Sequence, residues 1–275
     1  MGSMDFPNIQ TERLADAIAH QLETLILEGV VQRGERLPSE REMARELKVS
    51  RQSLREALQK LESRGLVETR HGGGTYVKGV LTPILIDPLI NLFQRHPETA
   101  TDFVEFRYTL EGMAAYYAAL RSTDEDRQLL AARFAAMVAA HTLEDPSEEA
   151  ERDVDFHIAI AEASHNAVLL HVMRGLFALL RKGVFFNRTQ LYVRPGAREL
   201  LLKQHRVMYD AVMAGDPETA RNAAHAHMAH VTHVLRDIMV DELRTTAARR
   251  RLSRYFIERR RPDVTSDHPE DKDGR

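Results

Sequence analysis

Hydrophobic residues recur at helical intervals in three segments near the start of the chain. The first segment covers residues 11–29 and ends at Gly29. Its apolar face is formed by Leu14, Ile18, Leu22, Leu25 and Ile26, a spacing that predicts an amphipathic helix. Two shorter segments follow Ser39 and Ser50, whose hydroxyl groups suit the N-cap position of a helix. Gly65 ends the second of them, so the chain begins with three predicted helices.

A short hairpin is predicted directly after the third helix. Apolar and polar residues alternate in segments 66–69 and 75–77, and the Gly-rich segment 70–74 separates them. Two helices joined by a tight turn and followed by such a hairpin are typical of a winged helix-turn-helix.

Helical periodicity continues in longer segments from residue 99 to residue 243, and nothing in this region alternates as a strand does. Capping and breaking residues divide the region into six or seven helices with short loops, which is the pattern of a bundle. We therefore predict a mainly α protein, with an N-terminal winged helix-turn-helix and a C-terminal all-helical bundle.

These patterns divide the chain into five parts. They are a disordered N-terminus (1–10), the winged helix-turn-helix (11–78), a linker (79–98), the helical domain (99–243) and a basic, then acidic, largely disordered tail (244–275). Gly2 and Ser3, which precede a second Met, resemble a cloning scar. Between residues 244 and 261 the tail has eight Arg against one Glu. We expect a solvated continuation of the last helix there rather than a DNA contact.

Composition narrows the class of protein. The absence of cysteine excludes disulfides and thiolate metal sites. No apolar run reaches the ~20 residues of a membrane helix, and no signal sequence is apparent, so we expect a cytoplasmic protein without a membrane partner. The net charge is −3, but residues 48–78 carry seven Lys or Arg against three Glu. A basic surface confined to the first domain suits attraction to a phosphate backbone.

The third predicted helix presents polar side chains opposite its apolar stripe. Arg51, Gln52, Ser53 and Arg55 occupy its first turns, where a recognition helix contacts base edges in the major groove. We expect Arg51 and Arg55 to read bases, most simply guanine. This face predicts binding to double-stranded DNA.

A second group of polar residues lies in the predicted bundle. Asp153 and His157 are four residues apart and share one helix face, whereas His205 and His227 belong to two later helices. Three imidazoles and a carboxylate that converge could bind Zn²⁺, with Ni²⁺ or Mn²⁺ as alternatives. By spacing alone these histidines could equally be core residues. Three others compete with His227 for the role, namely His225, His230 and His233.

Two further residues are candidates for ligand contacts. Arg107 lies among apolar residues, where it could grip a small carboxylate or form an ion pair with Glu111, its i+4 neighbour. Asn166 precedes the fourth helix of the bundle, so it suits either a ligand contact or a helix cap.

Three segments together carry a resemblance to a known family. LPSEREMARELKVSRQSLREALQKLESRGLVETRHGGGTYV resembles the winged helix of GntR-type regulators, while DVDFHIAIAEASHNAVLL and KQHRVMYDAVMAGDPETARNAAHAHM resemble the all-helical FCD ligand domain of the FadR subfamily. The likeness covers residues 11–243 and is greatest to the branch of lactate, pyruvate and glycolate regulators.

The resemblance implies roles for particular residues. It places metal ligands at Asp153, His157, His205 and His227. It places DNA contacts at Arg41, Arg51, Gln52, Ser53, Arg55, His71 and Gly72, and we add Lys48 as a phosphate contact. It implies a bacterial repressor that forms a homodimer, binds a palindromic operator and responds to a small 2-hydroxy or 2-oxo monocarboxylate. L-lactate is favoured, with pyruvate or glycolate next, because the pyruvate-responsive branch often lacks the Asp-x-x-x-His pair.

Two other functions remain open at this point. The Asp/His cluster could serve a metal-dependent hydrolase or hydratase, although we find no Glu placed as its general base and no HExxH motif. The bundle could also be a mere dimerisation module of a ligand-independent DNA-binding protein, with its histidines in the core.

Overall fold

The computed structural model describes residues 9–70, 73–78, 93, 95–96, 99–182 and 189–259. Its first part comprises α1 (Ile9–Leu27), α2 (Glu40–Glu46), α3 (Arg51–Ser63), β1 (Val67–Arg70) and β2 (Gly74–Val77). From residue 99 onwards every described element is a helix: α4 (Thr99–Arg121), α5 (Asp124–His141), α6 (Pro146–Ala163), α7 (Ala167–Arg181), α8 (Thr189–Tyr192), α9 (Ala197–Ala214) and α10 (Pro217–Arg259). The predicted fold class is confirmed.

The winged helix-turn-helix has an apolar core of its own. Helix α1 packs against α3, and β1 pairs with β2 in an antiparallel hairpin in which Val67 lies opposite Val77. Both helices and both strands contribute buried side chains, including Ile18, Leu22, Ile26, Leu54, Leu58, Leu61, Val67 and Val77. This core fixes the orientation of α3, the predicted recognition helix.

Local hydrogen bonds explain where α2 and α3 begin. The Ser39 hydroxyl accepts the N–H of Glu42, and the Glu42 carboxylate accepts the N–H of Ser39 at 2.9 Å, which completes a capping box. The Ser50 hydroxyl accepts the N–H of Ser53 at 3.0 Å. Between the two helices Lys48 has φ 54°, a left-handed conformation that few residues other than glycine adopt. It reverses the chain within a very short turn.

The segment before α2 joins the hairpin, which the sequence did not predict. The Gly34 N–H donates to the Val77 carbonyl at 2.8 Å, and the Val77 N–H donates to the Glu35 carbonyl at 3.0 Å. The Leu37 N–H donates to the Thr75 carbonyl at 2.9 Å. The outer edge of β2 thereby satisfies backbone groups that would otherwise need water, and the wing is anchored to the start of the helix-turn-helix.

The helices of the bundle begin and end close to the predicted breaks. Thr123, Asp145 and Asn166 cap the N-termini of α5, α6 and α7, and Gly215 ends α9 in a left-handed conformation. Helix α6 packs against α4, α5 and α7, so it lies in the middle of the bundle. Its core contains large buried side chains from several helices, including Phe134, Phe156, Ile160, Met173, Phe177 and Met208.

Helix α10 approaches α4 closely at a glycine. A Cβ added to Gly112 would overlap the ring of His225, which also stacks on Tyr108 with ring centroids 4.1 Å apart. A side chain at position 112 would therefore push the two helices apart. This contact brings the part of α10 that contains His227 against the part of α4 that contains Arg107 and Glu111.

The last helix is longer than predicted. Helix α10 passes through residue 243 without a break and reaches Arg259, and the chain divides into two compact units between Val231 and Thr232. The expected continuation of the last helix is thus present over residues 244–259, where the description of the tail as largely disordered does not hold. The segment contains six Arg and two Ala and no Gly or Pro, so helix propensity favours its continuation.

Some predictions concern residues outside the described ones. They are residues 1–8 of the N-terminus, most of the linker 79–98 with its short predicted helix, His71 and Gly72, and the acidic end of the tail. The disorder predicted for residues 1–10 is wrong for the last two of them, because α1 begins at Ile9. Within the described residues, no helix combines the length and the apolar character that crossing a membrane requires.

Candidate metal centre and nucleic-acid interface

Three helices bring four potential metal ligands together in the bundle. Helix α6 carries Asp153 and His157 one turn apart, α9 carries His205 and α10 carries His227. One ligand atom from each of the four lies within 4.8 Å of the others. The three histidines are between 1% and 3% exposed and Asp153 is 9% exposed, so the cluster is almost sealed from water.

The donor atoms face one another at short distances. His157 Nε2 lies 3.2 Å from His205 Nε2, and Asp153 Oδ1 lies 3.0 Å from His205 Nε2 and 3.5 Å from His157 Nε2. The rings of His205 and His227 have centroids 4.5 Å apart. Lone pairs crowded in this way repel each other unless a proton or a cation lies between them.

Outer residues orient two of the imidazoles. His157 Nδ1 lies 2.9 Å from Glu111 Oε2, and His227 Nδ1 lies 3.2 Å from Gln204 Oε1. Glu111 is in turn held by Arg107, whose Nε and Nη2 lie 2.8 Å and 2.5 Å from Glu111 Oε1. With Nδ1 occupied, each ring can turn Nε2 towards the cluster, an arrangement common around metal-bound histidines. No sequence pattern singled out Gln204, and Glu111 was indicated only as a partner for Arg107.

Burial and charge set the protonation of the two carboxylates. Burial alone would raise the pKa of Glu111, but the charges of Arg107 and His157 outweigh it and lower that pKa to about 2. Burial likewise opposes ionisation of Asp153, yet its hydrogen bonds and charge interactions with His157 and His205 hold its pKa well below the usual value. Both carboxylates are therefore ionised at neutral pH.

The same forces act in opposite directions on two of the histidines. Burial would lower the pKa of His157, but the carboxylates of Glu111 and Asp153 raise it to about 9. Burial, followed by the charges of His205 and His157, holds the pKa of His227 well below its usual value. The lowered pKa makes His227 a neutral imidazole, which is the form that binds metals.

The donor set fits a divalent cation. One carboxylate oxygen and three imidazole nitrogens suit Zn²⁺, Ni²⁺ or Mn²⁺, and the oriented outer residues are those that such a site needs. Two of the competing histidines contact other groups: His225 stacks on Tyr108, and His233 lies 3.6 Å from Asp237. The structure therefore groups the four predicted residues, and metal binding by them stays a prediction.

The two candidate ligand contacts differ in their surroundings. Arg107 is 5% exposed, pairs with Glu111 and lies over the Phe177 ring at 5.0 Å. Glu111 lies between Arg107 and His157 of the cluster. Its ion pair is the alternative that the sequence left open. Asn166 Oδ1 accepts the N–H of Leu169 at 3.1 Å, so its side chain caps α7.

The recognition helix exposes three of its four predicted base-contacting residues. Arg51, Gln52 and Arg55 lie on the surface and line a shallow depression together with Glu56. Glu40 holds Arg55 Nη2 at 2.9 Å, which extends the guanidinium along the surface. Gln52 is likewise held by Glu56 at 3.3 Å, so two partly buried glutamates orient this exposed face.

Ser53 corrects the predicted recognition face. Its side chain is 4% exposed, and its Oγ lies 2.8 Å from Ser50 Oγ. Ser53 follows the N-cap by three residues, and this position turns its side chain back onto the cap and into the core. It therefore stabilises the start of α3 and does not extend towards a base.

The predicted phosphate contacts lie around this helix. Arg41 and Lys48 are exposed on α2 and on the turn after it. In the wing, the Arg70 guanidinium lies 4.3 Å from the centroid of the Tyr76 ring, and its Nη2 lies 2.6 Å from Glu68. The sequence did not single out Arg70, although its place at the end of β1 beside the Gly-rich turn was a usable signal.

Helix α7 connects the bundle to the winged helix-turn-helix. His171 Nε2 lies 3.1 Å from the Leu27 carbonyl, and Arg174 Nη2 donates to the Gly29 carbonyl at 3.1 Å. Arg174 is also paired with Glu162 at 2.5 Å. Basic groups suit the free carbonyls at the end of α1. One turn further along α7, Phe177 stacks on His157 with ring centroids 5.7 Å apart, so one helix touches both sites.

Comparison with known proteins supports the division into two functional parts. Residues 14–77 match the family described as bacterial regulatory proteins, gntR family, and residues 102–230 match the FCD domain. A protein of Escherichia coli (strain K12), named as an L-lactate dehydrogenase operon regulatory protein, is 39% identical over 236 residues, which cover 84% of this chain and 90% of the relative. The Glc operon transcriptional activator of the same organism is 35% identical over 231 residues, covering 83% and 91%.

A solved structure agrees with these matches. A GntR protein of Streptococcus agalactiae has a TM-score of 0.51 and 29% identity, and the match covers 80% of this chain and 99% of that chain. The matched families and these relatives are transcription regulators and not enzymes. By the extent and identity of these matches, the chain belongs to the gntR family of bacterial transcription regulators and carries an FCD ligand domain.

Proposed function

We propose that the protein is a metabolite-responsive repressor whose helical domain binds a small 2-hydroxy or 2-oxo monocarboxylate beside a divalent metal ion. The observation that carries this proposal is the buried cluster of Asp153, His157, His205 and His227 in the same chain as a DNA-binding domain. A divalent ion held there supplies a Lewis-acidic centre for the oxygens of such an acid. L-lactate is the first candidate because of the relative named for the L-lactate dehydrogenase operon, and pyruvate or glycolate come next.

The residues around the cluster suit an anionic ligand. The proposed cation and the Arg107 guanidinium are positive groups in a space from which water is excluded, so a carboxylate would interact strongly with them. Arg107 already neutralises Glu111. It also lies over the ring of Phe177, which in turn stacks on His157. We propose two alternative roles for Arg107. It either holds the carboxylate of the ligand or holds the Glu111 side chain, which orients His157. The Asn166 side chain instead caps α7 through its Oδ1 atom.

On the DNA side we propose a homodimer bound to a palindromic operator. Two-fold symmetry would place one recognition helix on each half-site. Arg51 and Arg55 would contact bases, and Arg41 and Lys48 would contact phosphates. His71 and Gly72, which follow β1 in the sequence, are proposed to approach the minor groove.

Helix α7 is the proposed route by which ligand binding reaches the DNA-binding domain. Phe177 packs on His157 and Arg107, while His171 and Arg174 hold the end of α1. A ligand that changes the packing at Phe177 would shift α7 and so bias the orientation of the winged helix-turn-helix. By linkage, a ligand that prefers an orientation unsuited to the operator weakens DNA binding.

Isothermal titration calorimetry tests the proposal directly. L-lactate, pyruvate and glycolate are titrated into the full-length protein, once after chelation and once after reloading with Zn²⁺. We expect one of the three acids to bind only to the reloaded protein. The His205→Ala/His227→Ala variant, treated in the same way, should bind none.

Two other outcomes would contradict the proposal. Binding of the acid with the same affinity in chelated protein would separate the ligand from the metal. If no acid binds and the reloaded protein still binds DNA normally, the helical domain acts as a ligand-independent dimerisation module.

A further inference from the structure

The last helix continues beyond the region that matches the FCD domain as an arginine-rich segment. The match ends at residue 230, whereas α10 reaches Arg259. Residues 244–259, which we call the basic helix, contain six Arg and one Glu in a chain whose net charge is −3. Five of these arginine side chains are described and all are exposed: Arg244, Arg249, Arg250, Arg251 and Arg254. The segment is thus a strongly positive surface that neither matched family accounts for.

Three of these arginines follow one another directly on α10. Among the described side chains, no carboxylate lies within ion-pair distance of Arg249, Arg250 or Arg251, whereas Arg244 has Asp241 at 3.5 Å. The three consecutive residues rise only about 3 Å along the helix axis. Three positive charges within so short a length repel each other, so the helix gains from a polyanion that binds to it.

The directions of the arginines indicate the shape of that polyanion. Successive residues of a helix point about 100° apart, so Arg249 and Arg251 point about 200° apart with Arg250 between them. A flat surface cannot contact all three. A groove with phosphates on both walls can, and the major groove of DNA, about 12 Å wide, admits an α-helix.

The apolar side of the basic helix does not favour a membrane. Leu252, Tyr255 and Phe256 are 58%, 51% and 54% exposed, which would suit insertion into a bilayer surface. Phe256 follows Arg249 by seven residues, so both side chains lie on nearly the same side of the helix. Inserting Phe256 into the acyl region would carry Arg249 towards it.

We propose that the basic helix is a second DNA contact, which binds phosphates of double-stranded DNA without sequence preference. It acts in addition to the winged helix-turn-helix. It raises the affinity for all DNA sequences alike and makes that affinity more dependent on salt, because each phosphate contact releases condensed counterions.

The test uses the full-length protein and a duplex of random sequence. Fluorescence anisotropy gives the association constant between 50 and 200 mM NaCl for the wild type and for the Arg249→Gln/Arg250→Gln/Arg251→Gln variant. The slope of log K against log[NaCl] changes by about 0.9 for each phosphate contact, so we expect it to become shallower by about 2 to 3. A matched control, Lys203→Gln/Arg206→Gln/Arg236→Gln, removes the same charge from exposed positions outside the basic helix and should keep the wild-type slope.

Three results would overturn the proposal. The first is a wild-type slope in the basic-helix variant. The second is an equal loss of slope in both variants, which would reflect net charge alone. The third comes from a separate assay, in which the protein is sedimented with vesicles of phosphatidylcholine and phosphatidylglycerol. If the basic-helix variant keeps the wild-type salt slope but no longer sediments with these vesicles, the basic helix is a membrane contact. The test needs no metal, ligand or operator, so its outcome is independent of the proposed effector response.

Discussion

The ion pair between Arg107 and Glu111 allows structural and ligand-binding roles to be separated. Both side chains are almost fully buried, at 5% and 2% exposure, and no water can replace a lost partner. Removing one member of such a pair typically costs about 3–5 kcal/mol. In Arg107→Ala, Glu111 keeps His157 at 2.9 Å as a second cationic partner, so we expect the lower end, about 3 kcal/mol.

Urea unfolding of the full-length protein measures this loss. The matched control is Arg152→Ala, which breaks an i,i+4 pair with Glu148, whose members are 37% and 46% exposed, and an i,i+3 pair with Asp155 at 3.1 Å. Exposed helix pairs of this kind contribute only about 0.3–0.5 kcal/mol. If the free energy of unfolding of Arg107→Ala fell within about 1 kcal/mol of the Arg152→Ala value, the electrostatic description of the site would be wrong.

A double variant then distinguishes the two proposed roles of Arg107. Arg107→Met/Glu111→Gln removes both charges of the pair, while the amide oxygen introduced at position 111 can still accept the His157 Nδ1 proton, so the free energy of unfolding should return towards the wild type. If Arg107 grips the ligand, release of DNA by L-lactate stays lost in this variant. If Arg107 only neutralises Glu111, the response to L-lactate returns. Normal release of DNA by L-lactate in Arg107→Ala would end both ideas.

Three further predictions address the other parts of the molecule. Arg51→Ala should weaken operator binding by about 1–3 kcal/mol at matched salt, whereas Ser53→Ala should lower only the free energy of unfolding. An equal loss of operator affinity in both variants would contradict the buried position of Ser53. His205→Ala/His227→Ala should abolish metal binding by elemental analysis, and full occupancy would exclude these two residues as ligands. Arg174→Ala should leave ligand binding intact but reduce the effect of the ligand on DNA affinity, since the hydrogen bond to the end of α1 is lost. If the ligand changes the DNA affinity of this variant as much as that of the wild type, α7 is not the route between the two sites.

Local chemistry along the chain determined most of the fold. Ser39 and Ser50 begin helices where their hydroxyls predicted, since capping depends on residues only two or three positions away. Apolar periodicity likewise identified the bundle helices. The extent of α10 was harder to predict, because a run of exposed Arg and Ala is compatible with both helix and coil until the preceding helix nucleates it.

Tertiary structure decided which polar residues meet. The i,i+4 spacing of Asp153 and His157 is a local property, but only the crossing of α6, α9 and α10 selects His227 for the cluster. The outer partner Gln204 and the bond from Arg174 to Gly29 join residues that are distant in sequence, so no local pattern could indicate them. The sequence alone thus determined the helices and the residue types that suit DNA and metal. Packing decided which side chains face each other, because burial and distance set their charge, their orientation and the groups they can bind.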